Sequence, residues 1–256
     1  MTAGTGVASI AVCALLVAGC GADTGATATS SNPQTLTVLA AASLTESFST
    51  LAADYERSHP DVRIALSFGA SSTLAAQAAE GAPADVFASA SSATMATAVK
   101  SGAATNPRSF ARNSMTIVVP PSNPGRVTGL SSLADPSVTV AVCAPRVPCG
   151  VAADAVFRKA GVTVTPVTRE PDVKAVATKV RLGEVDAGIV YVTDARASGS
   201  AVQAIPIPPA NNTTTDYPIA VLRQSQHPTQ AQEFTDFVLG PTGQRVLAEY
   251  GFAGPR

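Results

Sequence analysis

Apolar positions change their spacing repeatedly along the chain, and each change marks a new element. Val38, Leu39 and the alanines behind them form a short apolar run that predicts a buried strand over 36–39. After it, Leu44, Phe48, Leu51, Ala52 and Tyr55 recur at helical intervals, which predicts a helix over 45–57. His59-Pro60 breaks that helix. Val62, Ile64, Leu66 and Phe68 then alternate with other residues, the period of a strand over 62–68. The two periods keep trading places. Helices are expected over 71–80, 92–101, 151–160, 172–182, 229–239 and 242–250. Strands are expected from about 86, and over 114–119, 138–142, 163–167, 185–192 and 217–222. Strands alternating with helices indicate an α/β architecture on parallel sheets. The Pro/Gly/Ser-rich stretch 120–128 is the candidate passage between domains.

Ligands of such sheets sit beyond the carboxyl ends of the strands, so the strand-to-helix junctions carry the candidate chemistry. The junction Ala40-Ala41-Ala42-Ser43-Leu44-Thr45-Glu46 places small residues and one serine where a helix begins. A helix start presents unpaired N–H groups and favours an anion. Ser43 and Glu46 fit a capping box equally well. A second junction, Gly69-Ala70-Ser71-Ser72-Thr73, holds three consecutive hydroxyl residues, more than one cap requires. The loop 143–150 is a third junction, and the turn before Val173 opens another helix.

Composition narrows the function classes. A chain of 256 residues suits one large domain or two ordinary ones. A formal net charge of −1 gives no broad attraction to nucleic acid or to a lipid surface. Residues 7–18 are nearly all apolar but too short to span a bilayer comfortably, and they run into Val17-Ala18-Gly19-Cys20. That ending resembles the lipobox of bacterial lipoproteins, which makes 1–19 a signal peptide and Cys20 the lipidated first residue. The absence of Lys or Arg before the apolar run departs from the pattern, and a secretory signal cut elsewhere is the alternative. Residues 20–34, rich in Thr, Ser, Ala and Gly, read as a flexible tether. With Cys13 in the signal and Cys20 lipidated, Cys143 and Cys149 remain, and an oxidising compartment permits a disulfide between them. A buried free thiol is the alternative for Cys149. Two sulfurs do not complete a zinc shell, and His59 and His227 each precede a proline.

Five motifs then fall in register: Ala40-Ala41-Ala42-Ser43-Leu44-Thr45, Ser71-Ser72-Thr73-Leu74, Gly81-Ala82-Pro83-Ala84-Asp85-Val86-Phe87, Gly188-Ile189-Val190-Tyr191 and Tyr250-Gly251-Phe252. In order and spacing, from about residue 36 to 252, the chain resembles the periplasmic molybdate-binding proteins of molybdate ABC importers. The resemblance implies a type II periplasmic-binding-protein fold, with two α/β lobes and two crossing strands as hinge. Residues 35–118 and 219–256 would form one lobe and 119–218 the other. It implies molybdate or tungstate in the cleft, held by the hydroxyls and backbone N–H groups of Ser43 and Ser71, the backbone N–H groups of Cys149 and Val173, and the phenol of Tyr191. The family often has Ala where this chain has Cys149, which suits a backbone-only role. No cofactor is implied, and molybdenum enters only as the bound oxyanion. The implied partners are a permease and its ATPase. The receptor is expected to be an exported monomer, lipid-anchored to the outer face of the plasma membrane and free of nucleic acid.

A dianion needs no cation if several N–H dipoles converge on it in a dry site. Each hydrogen bond to a charged group contributes about 1.5–3 kcal/mol. Arg146 and Lys174, near the matched positions, offer longer-range attraction. Competing readings stay open at this level: sulfate or phosphate as the anion, a ferric complex on Tyr191 and Tyr217, or a hydrolase using Ser43 or Cys149, for which no histidine lies near a junction. The ligand-sensing domain of a transcription regulator can share this fold, and the export signal argues against it.

Overall fold

The computed structural model describes residues 33–255. The signal segment 1–19, Cys20 and the tether as far as residue 32 lie outside the described residues. In order, the first part of the chain holds β1 (Gln34–Ala41), a 3-10 turn (Ala42–Leu44), α1 (Thr45–Ser58), β2 (Val62–Gly69), α2 (Ser71–Ala79), β3 (Val86–Ala88) and α3 (Ser92–Lys100). The long strand β4 (Arg108–Val119) leads to β5 (Val140–Cys143), α4 (Pro148–Ala160), β6 (Thr168–Glu170), α5 (Val173–Arg181), β7 (Ala187–Tyr191), α6 (Val192–Ser198) and β8 (Gln203–Pro206). The chain returns through β9 (Thr214–Val221) and ends in α7 (Pro228–Leu239) and α8 (Pro241–Glu249).

The strands form one path in the order β2-β1-β3-β9-β4-β7-β5-β6, with β8 paired to β4. Two strands join its halves. Residues 108–114 of β4 pair with β9, while 115–119 pair with β7 and β8. Parallel pairing holds wherever a helix covers the connection: β1 with β2 and β3, and β5 with β6 and β7. Every antiparallel pairing between these strands involves β4 or β9. The sheets are therefore mixed, and the mixing is confined to the crossing strands.

Separate cores sit on either side of the crossing. In the first, Phe48, Leu51 and Tyr55 of α1 are fully buried with Phe110 and Phe234. Their rings meet edge to face, Phe48 with Phe110 at 5.7 Å and Tyr55 with Phe234 at 5.2 Å. Such pairs add about 0.5–1.5 kcal/mol beyond the area they bury. In the second, Val176 and Val180 of α5 pack on β7 and β5. Gly188 allows that approach, because a Cβ there would lie 2.8 Å from Val176 Cγ1.

The sequence expectations fail locally where proline intervenes. The strand expected over 163–167 is irregular, and the ladder to β5 begins only where Val167 N–H reaches Val140 O. Pro166 offers no N–H to such a ladder. Helices α4, α7 and α8 start earlier than their apolar spacing suggests, each with a proline at its first position. A proline there loses no hydrogen bond and brings its φ already set. Cys149 accordingly belongs to the first turn of α4, not to the loop before it.

Candidate functional site

The carboxyl ends of β1, β2, β5, β6 and β7 meet at one small cavity. Ser43, Ser71, Cys149, Val173 and Tyr191 all line it, together with Ala41, Ala42, Ala70, Pro148 and Asp172 among others. About 20 Å³ is open to the centre of a water molecule, where a single water needs roughly 10–15 Å³. The space suits a ligand of a few heavy atoms. It does not suit a sugar or a peptide.

Four helical starts face this space: the 3-10 turn at Ser43, and α2, α4 and α5 at Ser71, Cys149 and Val173. First-turn N–H groups have no acceptor within their own helix. The first three starts also lack a side-chain cap. At α5, Asp172 Oδ1 accepts from Ala175 N–H, which leaves the N–H of Val173 free of that cap. Ser43 and Glu46 make no capping box. Their side chains are taken by tertiary partners instead: Ser43 Oγ lies 2.9 Å from Tyr217 Oη, and Glu46 accepts from Lys174. Ser71 does not cap either, and its Oγ accepts from Ala90 N–H at 2.9 Å.

Tyr191 closes the cavity from the second half of the fold. It is 1% exposed, and its hydroxyl has no hydrogen-bond partner. An orphaned buried hydroxyl signals a missing acceptor. Burial, reinforced by the Asp194 carboxylate, pushes its pKa up, so the phenol keeps its proton. Burial likewise holds the Tyr217 phenol well above its ordinary range. The two rings meet edge to face at 5.9 Å.

The lysine that follows Val173 in the chain is committed elsewhere. Lys174 Nζ lies 2.7 Å from both Glu46 oxygens and 3.2 Å from Asp194 Oδ1. The Asp194 contact is an ion pair to a fully buried carboxylate. Burial pushes the Asp194 carboxyl up to about 6, against the pull of Lys174. Burial alone would lower the Lys174 pKa, but Asp194 and Glu46 together raise it. Arg146 is exposed and does not line the cavity.

Cys143, at the end of β5, is joined by a disulfide to Cys149, with Cα atoms 5.7 Å apart. Gly150 lets the first turn of α4 lie against that strand end, since a Cβ would fall 2.0 Å from Ala144 O. Disulfide and glycine together fix the turn that carries the Cys149 N–H. Asn113, whose Nδ2 donates to Thr193 Oγ1 and to Tyr217 Oη behind Ser43, gives no signal by spacing because its partners lie far along the chain, and Asp172 acts through its own helix.

With this geometry, the fold and site are those of an extracytoplasmic receptor: the chain belongs to the bacterial extracellular solute-binding protein family, which it matches over residues 36–253. It is 37% identical to a protein of Mycobacterium tuberculosis named molybdate-binding protein ModA, over 98% of each chain. Two solved structures share the type II periplasmic-binding-protein fold. One is the periplasmic molybdate-binding protein of Azotobacter vinelandii (TM-score 0.74, 21% identity, 86% of this chain and 100% of that one). The other is the sulfate-binding protein SubI of M. tuberculosis (TM-score 0.77, 21% identity, 86% and 87%). No helix among the described residues is long and apolar enough to cross a membrane.

Proposed function

We propose that this chain is an exported, lipid-anchored receptor that captures molybdate or tungstate between two lobes and delivers it to an ABC permease and its ATPase. The observation that carries the reading is the convergence of helical starts and three hydroxyl side chains on a cavity that, among the described residues, no Lys or Arg lines. Ser43, Ser71, Cys149, Val173 and Tyr191 are the proposed oxyanion ligands. The last three come from the half of the fold beyond β4, the first two from the half before it, so closure about β4 and β9 would enclose the anion. All five proposed ligands come from one chain, and we read the receptor as a monomer.

The relative from M. tuberculosis supports molybdate over other anions. A phosphate would present a proton and need an acceptor, and the one carboxylate in the wall, Asp172, already caps α5 through Oδ1. Iron would favour paired tyrosines with acidic ligands, whereas of the two tyrosines Tyr191 lines the cavity and Tyr217 does not. Catalysis is disfavoured because Ser43 Oγ meets a phenol instead of a base and the Cys149 sulfur is tied in the disulfide. Calorimetric titration of the chain from residue 31 onward with molybdate, tungstate, sulfate and phosphate tests the reading. Tight one-to-one binding of the first two supports it, and tight sulfate or phosphate binding in their place overturns it.

A further inference from the structure

The hydroxyl that Ser43 offers the cavity is governed by residues outside the cavity wall. Ser114 N–H donates to Asn113 Oδ1 at 3.0 Å, and this fixes the orientation of a buried amide. Asn113 Nδ2 then donates to Thr193 Oγ1 at 2.8 Å and to Tyr217 Oη at 3.4 Å. The reverse amide orientation would set two N–H groups against each other. Tyr217 Oη thus receives a hydrogen from Asn113, and its own hydrogen must go to its remaining partner, Ser43 Oγ, 2.9 Å away. Tyr191 Oη stands close enough to Tyr217 to be a second acceptor, but it makes no aligned hydrogen bond, so Ser43 Oγ at 2.9 Å is the acceptor the geometry favours. Ser43 becomes an acceptor outside the cavity, which leaves its hydrogen to point in. Ser71 is set the same way in one step, by Ala90 N–H at 2.9 Å.

We propose that Tyr217, oriented by Asn113, is a specificity-determining residue: it holds Ser43 as a donor and so selects fully ionised oxyanions over protonated ones. The proposal rests on the oxyanion-receptor reading and adds to it. A serine hydroxyl free to rotate can accept from the O–H of a protonated anion as readily as it donates to a bare oxygen. A serine whose oxygen is already engaged by a fixed donor offers no such choice. Asn113 and Tyr217 stand on β4 and β9, the two crossing strands, so the selection device lies between the halves of the fold. Because burial keeps the Tyr217 phenol protonated, its hydrogen stays available at every ordinary pH.

The test compares molybdate with phosphate, which carries a proton at neutral pH, by calorimetry and competition. Wild type must first bind molybdate. If it binds no oxyanion, the receptor reading itself falls, and this proposal with it, before any variant is compared. Tyr217→Phe keeps the ring and removes the hydroxyl. It is expected to lower the molybdate-over-phosphate preference about tenfold, chiefly by admitting phosphate. Asn113→Leu, which frees the Tyr217 hydroxyl to turn, should move the preference in the same direction by less and serves if the first variant does not fold. In a Ser43→Ala background neither change should alter the preference further. An unchanged preference in both variants overturns the proposal. So does an equal fall in the Ser43→Ala background, which would assign the effect to packing of the ring between Tyr191 and Phe252.

Discussion

Lys174, on α5, donates to both carboxylate oxygens of Glu46, on α1, at 2.7 Å each. The pair joins the two halves of the fold beside Val173, one of the proposed donors. Any opening about β4 and β9 would have to break it. Both side chains are partly exposed, at 28% and 39%, so the pair belongs near the low end for charge-assisted bonds, about 1 kcal/mol. Lys174→Met should therefore weaken molybdate binding roughly fivefold, mainly through faster release. Glu46→Gln should do much the same, and the double variant little more. Release rates measured by rapid mixing check this, and full additivity would show that the two residues act separately.

Asp194 gives stability an unusual pH slope. Its pKa is about 6 in the folded chain against an ordinary 3.8. Between those values the folded chain holds a proton that the unfolded chain has released. Stability should then fall as pH rises through this window and level off above it. Two pKa units correspond to a penalty on the order of 3 kcal/mol. Lys174, raised above its ordinary 10.5, adds nothing to the slope there. Urea midpoints from pH 4 to 7 should show the decline in wild type, and Asp194→Asn should flatten it.

The disulfide and Gly150 separate donor position from sulfur chemistry. Cys149→Ala keeps the backbone N–H and should bind molybdate nearly normally, while losing stability on the order of 2 kcal/mol for a loop this short. Gly150→Ala leaves both cysteines in place but drives a methyl into Ala144 O. It should weaken binding more than Cys149→Ala does. The opposite ranking in calorimetry would mean that the sulfur matters and the turn does not.

The serine side chains should matter individually. Ser43→Ala and Ser71→Ala each remove one hydroxyl donor and should weaken binding about tenfold, close to one charge-assisted hydrogen bond. Val173→Ala keeps its N–H and should change affinity little. Equilibrium binding of labelled tungstate compares all three on one scale.

The fold was legible in the alternation of periods because each helix buries one apolar stripe against a strand run. The pairing of Leu36, Phe48 and Tyr55 in one core follows from that spacing. Edge elements were not legible. Strand β8 is exposed along most of its length and α6 has only seven residues, so neither carries a periodic apolar signal. The lower half of β4, from Arg108, was also missed, since its pattern is interrupted by Arg112 and Asn113. Of the two, Asn113 acts on the site from behind the cavity wall, while Arg112 holds the C-terminal segment through Gly254 O. Asn113 is polar and buried because it serves Tyr217 and Thr193, which lie more than 75 residues away in the chain. The short motifs around Ser43 and Ser71 showed where helices start at strand ends. They did not show that Ser43 leaves its capping role for Tyr217, because that contact spans 174 residues.

The most direct measurement is anomalous diffraction from crystals of the chain grown with tungstate. The account predicts one tungsten site in the cavity, with its oxygens in hydrogen-bond reach of the Ser43, Ser71 and Tyr191 hydroxyls and the N–H groups of Cys149 and Val173. Lys174 would remain on Glu46. Tungsten held by Lys174 or Arg146, or bound outside this cavity, would contradict the claim that neutral donors alone hold the anion.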